Sequence, residues 1–309
     1  MTCAECSSWA IVENNVQVDF AIIGAPKAGT TSLYDFFSNI RDFVAISEAK
    51  DFPVFSRPHE IVNRLISLKS FGYKDFSEKP QIIGDVNICF DRTYLQALSE
   101  VAPNVRLILV VRQPRERILS AHAFNTERLL EGRSICAALN DEADSVLPEK
   151  GTKDWFQKSY FLHSDYEKMI DDCLSVFNKD QLLVLDFDDL VHSFPTTLLY
   201  LAKFMDFNFD RDIFLPKSNV TSGHLHFQFL SKILFQGQRS SFFWQLLRKQ
   251  ISQAHRSKIR FWLRRMMRMR AQPRSAPKLN DEALTEAARH ELNRLEKSYS
   301  MLKFRYSLN

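Results

Sequence analysis

Cysteine is scarce in this sequence, and its distribution argues against a zinc site. The 309 residues include five cysteines, an odd and scattered set: Cys3, Cys6, Cys89, Cys136 and Cys173. Cys3 and Cys6 have C-x-x-C spacing, but no second cysteine or histidine pair at zinc-binding spacing accompanies them. We therefore interpret them as thiols in a flexible leader, residues 1–17, and we expect no metal site.

The sequence also lacks the apolar segments that take a chain into or across a membrane. No basic stretch followed by an apolar one opens the chain, so we expect no secretory signal. No uninterrupted apolar run reaches the ~18 residues that a membrane span needs. With 45% apolar residues, the chain can instead bury one large α/β core.

Acidic residues are missing from one long stretch. Residues 213–280 contain 14 lysines and arginines but no Asp or Glu, so all 37 acidic residues lie elsewhere. Such segregation predicts an anionic partner, and we expect no nucleic acid. Three interpretations remain open: a face that holds an acidic polysaccharide, an amphipathic helix on an anionic membrane, or helices packed on the core with solvated arginines.

A glycine-containing loop follows the first strand-like run. Phe20 to Ile23 are continuously apolar, as in a buried parallel strand, and helical spacing resumes at Ser32. Strand, loop and helix in this order point backbone N–H groups and a positive helix end at a phosphate. The P-loop pattern G-x-x-x-x-G-K-[ST] fits Gly24 and Gly29, but Thr30 occupies the lysine position. A P-loop kinase is therefore disfavoured, and an exposed lysine at an ordinary corner stays an alternative.

A second motif, Arg112-x-Pro-x-x-Arg-x-x-Ser120, follows the most strand-like run, residues 105–111. An arginine at the carboxyl end of a central strand lies where open α/β sheets bind ligands, and its planar fork suits a phosphate. Pro114 should separate the strand from the helix that carries Ser120. A surface arginine and an unrelated helix serine are the alternative.

Together, in this order, the two motifs resemble those of sulfotransferases that use 3′-phosphoadenosine-5′-phosphosulfate (PAPS), particularly bacterial and heparan-sulfate-type members. The resemblance covers about residues 18–210. It implies that Lys27 stabilises the leaving 3′-phosphoadenosine-5′-phosphate (PAP) and that Arg112 and Ser120 bind the 3′-phosphate. The loop residues implied to bind the 5′-phosphate are Pro26, Lys27, Ala28, Gly29, Thr30, Thr31 and Ser32.

The catalytic base is less well defined. Residues 50–55 resemble a Lys-Glu-x-x-x-Phe segment whose glutamate is the base in heparan-type enzymes, but this chain has Asp51 in its place. Asp51 is our first candidate, Glu48 the second and His122 the third, because an acceptor hydroxyl must lose a proton as it attacks. Each of them could equally be a cap or a solvated polar group. Asp85 is either an acceptor-binding carboxylate or a surface cap.

Strands alternate with helices along the chain, which predicts an α/β fold with a doubly wound parallel sheet. We expect a single domain over residues 18–309, with an α/β core at 18–210 and a basic helical extension at 211–309. One long helix is predicted over residues 160–177.

The expected function is transfer of a sulfuryl group from PAPS to a hydroxyl of a carbohydrate or other small acceptor. The alternatives are a nucleotide-binding protein without transferase activity and a P-loop kinase. Animal Golgi sulfotransferases carry a membrane span, so its absence here favours a cytoplasmic enzyme, with peripheral membrane contact through residues 213–280 as an option.

Overall fold

The computed structural model describes residues 18–45, 79–209, 215–216 and 278–306. The chain divides into two compact units: Met1–Val111 with Lys168–Pro216, and Arg112–Glu167 with Lys217–Asn309. The predicted flexible leader and most of the basic stretch 213–280 lie outside the described residues. The prediction of a single domain over residues 18–309 stays a prediction.

Within the described residues, five parallel strands form one sheet in the order β2-β3-β1-β4-β5. The strands are β1 (Phe20–Gly24), β2 (Val44–Ala45), β3 (Gln81–Gly84), β4 (Arg106–Val111) and β5 (Leu182–Asp186). The α-helices are α1 (Thr30–Ser38), α2 (Arg92–Val101), α3 (Pro114–Glu127), α4 (Ile135–Ala143), α5 (Lys153–Lys158), α6 (Tyr166–Leu174), α7 (Phe187–His192), α8 (Phe194–Met205) and α9 (Glu286–Tyr306). The predicted α/β fold with a parallel sheet is confirmed.

The sheet belongs to the first unit, and β1 lies at its centre. All of β1 is buried, as is β4 apart from its first residue. This burial explains why both strands are continuous apolar runs, since parallel strands are covered on both faces. The chain visits β2 and β3 on one side of β1 and then β4 and β5 on the other. The strand order therefore reverses between β1 and β4, and ligands of such sheets bind at the carboxyl ends of the strands at this point.

The second unit has its own apolar core, which joins α3, α4 and α9. Ile118 of α3, Leu139 of α4 and Leu295 of α9 belong to one buried cluster. In α9 the buried residues follow a three-to-four-residue spacing: Ala288, Leu292, Leu295, Tyr299 and Leu302. The C-terminal part of the chain is thus helical where it is described. Among the described helices, none is long and apolar enough to cross a membrane.

The helix predicted over residues 160–177 is much shorter in the structure. A 3-10 turn covers Leu162–Ser164, and α6 begins only at Tyr166. The helical path is interrupted at Asp165, whose backbone (φ −84°, ψ 79°) is not helical. The carboxylate of Glu142 accepts the backbone N–H groups of Tyr160 (2.6 Å), Phe161 (2.9 Å) and Leu162 (3.1 Å). A side chain from another helix therefore takes the donors that a helix start would leave exposed.

Glu142 should make the stability of the fold depend on pH. Burial raises the pKa of Glu142 from an ordinary 4.5 to about 7, although the three N–H groups and Arg117 act in the opposite direction. The stability that this group contributes is then fully present below about pH 4.5 and lost as pH rises through about 7. Urea unfolding of the wild type and Glu142→Gln should show the wild-type free energy of unfolding falling relative to the variant's over this window. Parallel pH profiles would contradict the prediction.

Candidate active site

The loop between β1 and α1 is tied to the centre of the sheet. β1 ends at Gly24, and the backbone N–H of the next residue, Ala25, donates to the carbonyl of Val110 in β4 at 2.8 Å. The N–H of Ala28 then donates back to the carbonyl of Ala25 at 3.2 Å, which closes a tight turn. Lys27 lies in this turn and is half-buried.

Two residues of the turn have left-handed backbone conformations. Lys27 has φ 70° and Gly29 has φ 83°. Residues with a Cβ pay roughly 1–2 kcal/mol for this conformation, so Lys27 is held there against its preference. At Gly29 a Cβ would also lie 3.0 Å from two ring carbons of Phe187, the first residue of α7. Glycine is thus required at position 29 by both backbone conformation and packing.

The start of α1 fits an anion. Gly29 is the N-cap residue and provides no side-chain hydrogen bond, and the first turn contains no acidic residue. The first N–H groups of a helix have no partner within the helix, and they carry the positive end of its dipole. Thr30 is buried and Thr31 half-buried in this turn. Backbone N–H groups, threonine hydroxyls and the adjacent Lys27 are a donor set that suits a phosphate.

Asp85 follows β3, the strand beside β1. Its burial excludes one of the two roles that the sequence left open for it. Its N–H donates to the carbonyl of Ile22 at 3.1 Å, and its Oδ1 accepts from the backbone and side-chain nitrogens of Asn87, both at 3.0 Å. Asp85 is 0% exposed, so it is not a surface cap. Whether it contacts an acceptor stays a prediction.

The second motif forms the junction between β4 and α3. Arg112 is the first residue after β4, and Pro114, which we expected to separate the strand from the helix, is the first residue of α3. Gln113 is the N-cap, and its Oε1 accepts the N–H of Glu116 at 2.8 Å. The guanidinium of Arg112 donates to the Glu116 carboxylate at 3.2 Å. A guanidinium carries five N–H donors in a planar fork, a geometry that suits an anion. The Arg112 side chain is about one-fifth exposed.

Ser120 and His122 lie on different sides of α3. Residues two positions apart on a helix are separated by about 200° around its axis, so these two side chains do not point the same way. Ser120 is half-buried. The Nε2 of His122 lies 3.0 Å from the carbonyl of Arg133, which can only accept, so Nε2 is the donor and Nδ1 is the basic nitrogen of a neutral ring. The role of His122 as a base stays a prediction.

The two preferred bases, Asp51 and Glu48, lie outside the described residues. Within the described ranges, no group of three or more His, Cys, Asp or Glu residues could hold a metal ion. Sequence reasoning gave no role to two buried residues near Arg112, namely Arg117 and Tyr166. Arg117 falls within the second motif, but the partners of both side chains are distant in sequence and leave no local signal.

Comparison with known families identifies the family of this chain. A family model described as a sulfotransferase domain matches residues 17–281. The chain belongs to the sulfotransferase domain family. It is accordingly a PAPS-dependent sulfotransferase, and the acceptor is not determined by the match. A search of curated proteins finds no significant match.

One solved sulfotransferase structure supports the fold, and two others have lower similarity. A sulfotransferase from Alicyclobacillus acidocaldarius is 19% identical with a TM-score of 0.54, over 66% of this chain and 85% of that one. The sulfotransferase domain of the Synechococcus PCC 7002 olefin synthase is 12% identical with a TM-score of 0.47, over 92% and 94%. A mouse sulfotransferase in complex with PAP is 15% identical with a TM-score of 0.38, over 62% and 60%. The first of these likenesses supports the fold alone.

Gly29→Ala should destabilise this sulfotransferase by about 1–2 kcal/mol, because alanine disfavours a positive φ and its Cβ would press on the Phe187 ring. Chemical denaturation measures the effect. Gly132→Ala is the matched control, since a Cβ at Gly132 would meet nothing within 4 Å. It should change stability by less than about 0.5 kcal/mol. Equal effects of the two substitutions would show that position 29 does not need glycine.

Proposed function

We propose that this sulfotransferase binds the 5′-phosphate of PAPS with residues 26–32 and the 3′-phosphate with Arg112 and Ser120. The acceptor would be a hydroxyl of a carbohydrate. The observation that carries the proposal is the turn at Lys27 and Gly29, which leads from the carboxyl end of β1 to an uncapped helix start. Phosphate groups are held by such helix starts because N–H groups and the helix dipole both favour negative charge.

Lys27 would act on the leaving group. When bound, PAPS supplies a sulfuryl group, whose bond to the 5′-phosphate oxygen breaks as a bond to the acceptor oxygen forms. Negative charge then builds on the oxygen that leaves, and the Lys27 ammonium is the cation of this turn. Because electrostatic stabilisation of developing charge dominates such displacements, Lys27 should matter more to turnover than to donor binding.

The hydroxyl proton of the acceptor must pass to a base during the transfer. Asp51 remains our first choice, Glu48 the second and His122 the third. The support for Asp51 is its match to the glutamate position of heparan-type enzymes. His122 is the weakest candidate, because its Nε2 is engaged by the carbonyl of Arg133 and its side chain points away from that of Ser120.

The proposal of a carbohydrate acceptor rests on the heparan-type resemblance and on the charge of residues 213–280. A stretch with 14 basic and no acidic residues would attract an acidic polysaccharide or an anionic membrane surface. A nucleotide-binding role without transfer is the alternative, since Asp51 is one methylene shorter than the usual glutamate. A kinase is disfavoured because Thr30 replaces the lysine of the P-loop pattern.

Transfer of radioactive sulfate from labelled PAPS to a panel of acceptors tests the proposed reaction. The panel should contain acidic polysaccharides, neutral glycans and phenols, and sedimentation with anionic vesicles should be measured in parallel. Labelling of glycans would support the proposal. Labelling of phenols alone would overturn the carbohydrate acceptor, and no labelling despite PAP binding would favour the nucleotide-binding alternative.

Lys27→Ala should lower kcat by about 10²–10³, the usual cost of removing one group that stabilises charge in the transition state. Lys203→Ala provides the control, because this lysine is exposed on α8. Steady-state kinetics with saturating PAPS measures both variants. Near-normal turnover of Lys27→Ala would show that the lysine does not act on the leaving group.

Asp51→Asn should lower turnover by about 10²–10⁴ with donor affinity retained, since the amide has nearly the same shape but cannot take up the proton. Glu48→Gln is the matched comparison and should retain most activity. The opposite result, with Glu48→Gln inactive and Asp51→Asn active, would reassign the base to Glu48.

A further inference from the structure

A single hydroxyl group binds both backbone polar groups of Arg112. The Tyr166 hydroxyl donates to the Arg112 carbonyl at 2.7 Å and accepts the Arg112 N–H at 3.3 Å. Arg112 lies after the last residue of β4 and before the start of α3, so neither the sheet nor the helix determines its backbone. Tyr166 supplies the hydrogen bonds that regular structure would otherwise provide.

Tyr166 is itself firmly held. It is 1% exposed, and its ring lies 6.2 Å from that of Tyr299 in α9. Burial of an aromatic ring among other side chains restricts its rotation, so the position of the hydroxyl is well defined. The hydroxyl can therefore act as a rigid support for the backbone of Arg112.

The segment that leads into Tyr166 is bound to α3 by a buried arginine. Arg117 is 1% exposed; its Nε donates to the Ser164 hydroxyl at 2.6 Å and its Nη2 to the Tyr160 carbonyl at 2.7 Å. Burial lowers the pKa of Arg117, because a cation held away from water is disfavoured. Residues 160–166 are thus bonded to Arg112 at one end and to α3 at the other.

These contacts link the two residues that we assign to the 3′-phosphate. Ser120 lies three residues after Arg117 on α3, on the adjoining part of the helix surface. The Tyr166 hydroxyl sets the backbone from which the Arg112 side chain extends, and Arg117 sets the position of the helix. A phosphate that must contact both side chains binds best when their separation is already correct.

We propose that Tyr166 is a positioning residue for recognition of the 3′-phosphate, acting through its two hydrogen bonds to the backbone of Arg112. The inference rests on the proposed function of Arg112 and Ser120. A merely structural tyrosine would lower stability and weaken every nucleotide to the same extent. A positioning tyrosine would weaken the 3′-phosphate contact selectively.

The test compares PAP with adenosine 5′-monophosphate, which differs from PAP by the 3′-phosphate alone. Tyr166→Phe keeps the ring and removes the hydroxyl. It should weaken PAP binding about tenfold, as expected for a lost hydrogen bond, and leave the affinity for adenosine 5′-monophosphate within about twofold. Arg112→Ala is the reference for full loss of the contact and should weaken PAP binding by about 10- to 150-fold. Calorimetric titration measures all affinities.

Tyr160→Phe is the matched control. It removes another buried hydroxyl from the same segment, one that bonds to Asn125 at 3.3 Å and Glu131 at 3.2 Å and does not contact Arg112. It should lower the melting temperature without changing the ratio of the two affinities. Should Tyr166→Phe fold poorly, Ser164→Ala tests the same inference. It should reduce the ratio of the affinity for PAP to that for adenosine 5′-monophosphate by a smaller factor.

The outcomes distinguish failure of this inference from failure of the assignment of Arg112 and Ser120 to the 3′-phosphate. If Arg112→Ala loses the preference for PAP and Tyr166→Phe keeps it, the tyrosine is only structural and the inference is wrong. If the wild type has no preference for PAP, or Arg112→Ala retains it, the proposed role of Arg112 fails and this inference fails with it.

Discussion

The pairing of β1 with β4 is the interaction on which the rest of this structure depends. The two parallel strands run in register from Phe20 beside Arg106 to Gly24 beside Leu109, with one irregularity before Gly24. The ladder is then continued by the hydrogen bond from Ala25 to Val110. Because parallel strands end at the same edge, the loop that carries Lys27 begins beside the end of β4. The position of the loop that carries Lys27 is therefore determined by the sheet and not by the loop's own sequence.

The close packing around this edge accounts for residues that would otherwise be ascribed to ligand binding alone. At Gly24 a Cβ would lie 2.4 Å from the sulfur of Cys89, and at Gly29 it would meet the ring of Phe187. Both glycines are thus required before any phosphate is present. The positive φ of Lys27 is different, because here a residue with a Cβ adopts a conformation that disfavours one. Strained backbone at a non-glycine residue is typical of functional sites, which is consistent with a role for Lys27 in transfer.

The strands and the two motifs could be recognised in the sequence because each depends on a short continuous stretch of residues. The apolar runs of β1 and β4 and the start of α3 at Pro114 depend on neighbouring residues, and the structure confirms them. The helix expected from residue 160 is interrupted at Asp165, and the N–H groups of residues 160–162 are bound by Glu142, 18–20 residues earlier in the chain. Likewise, the bond between Tyr166 and Arg112 joins residues 54 positions apart. Such long-range partners leave no periodic pattern in the sequence. The buried polar networks are therefore the part of this site that cannot be predicted from sequence.

The central claim is that the chain recognises a nucleotide with phosphates at both the 5′ and the 3′ positions. Thermal-shift titration of the wild type with PAP, with ATP and Mg²⁺, and with buffer alone tests it most directly. The account predicts that PAP raises the melting temperature with saturation and that ATP has little effect, because binding to the folded state stabilises it by mass action. A larger shift with ATP and Mg²⁺ than with PAP would contradict the account and favour a kinase.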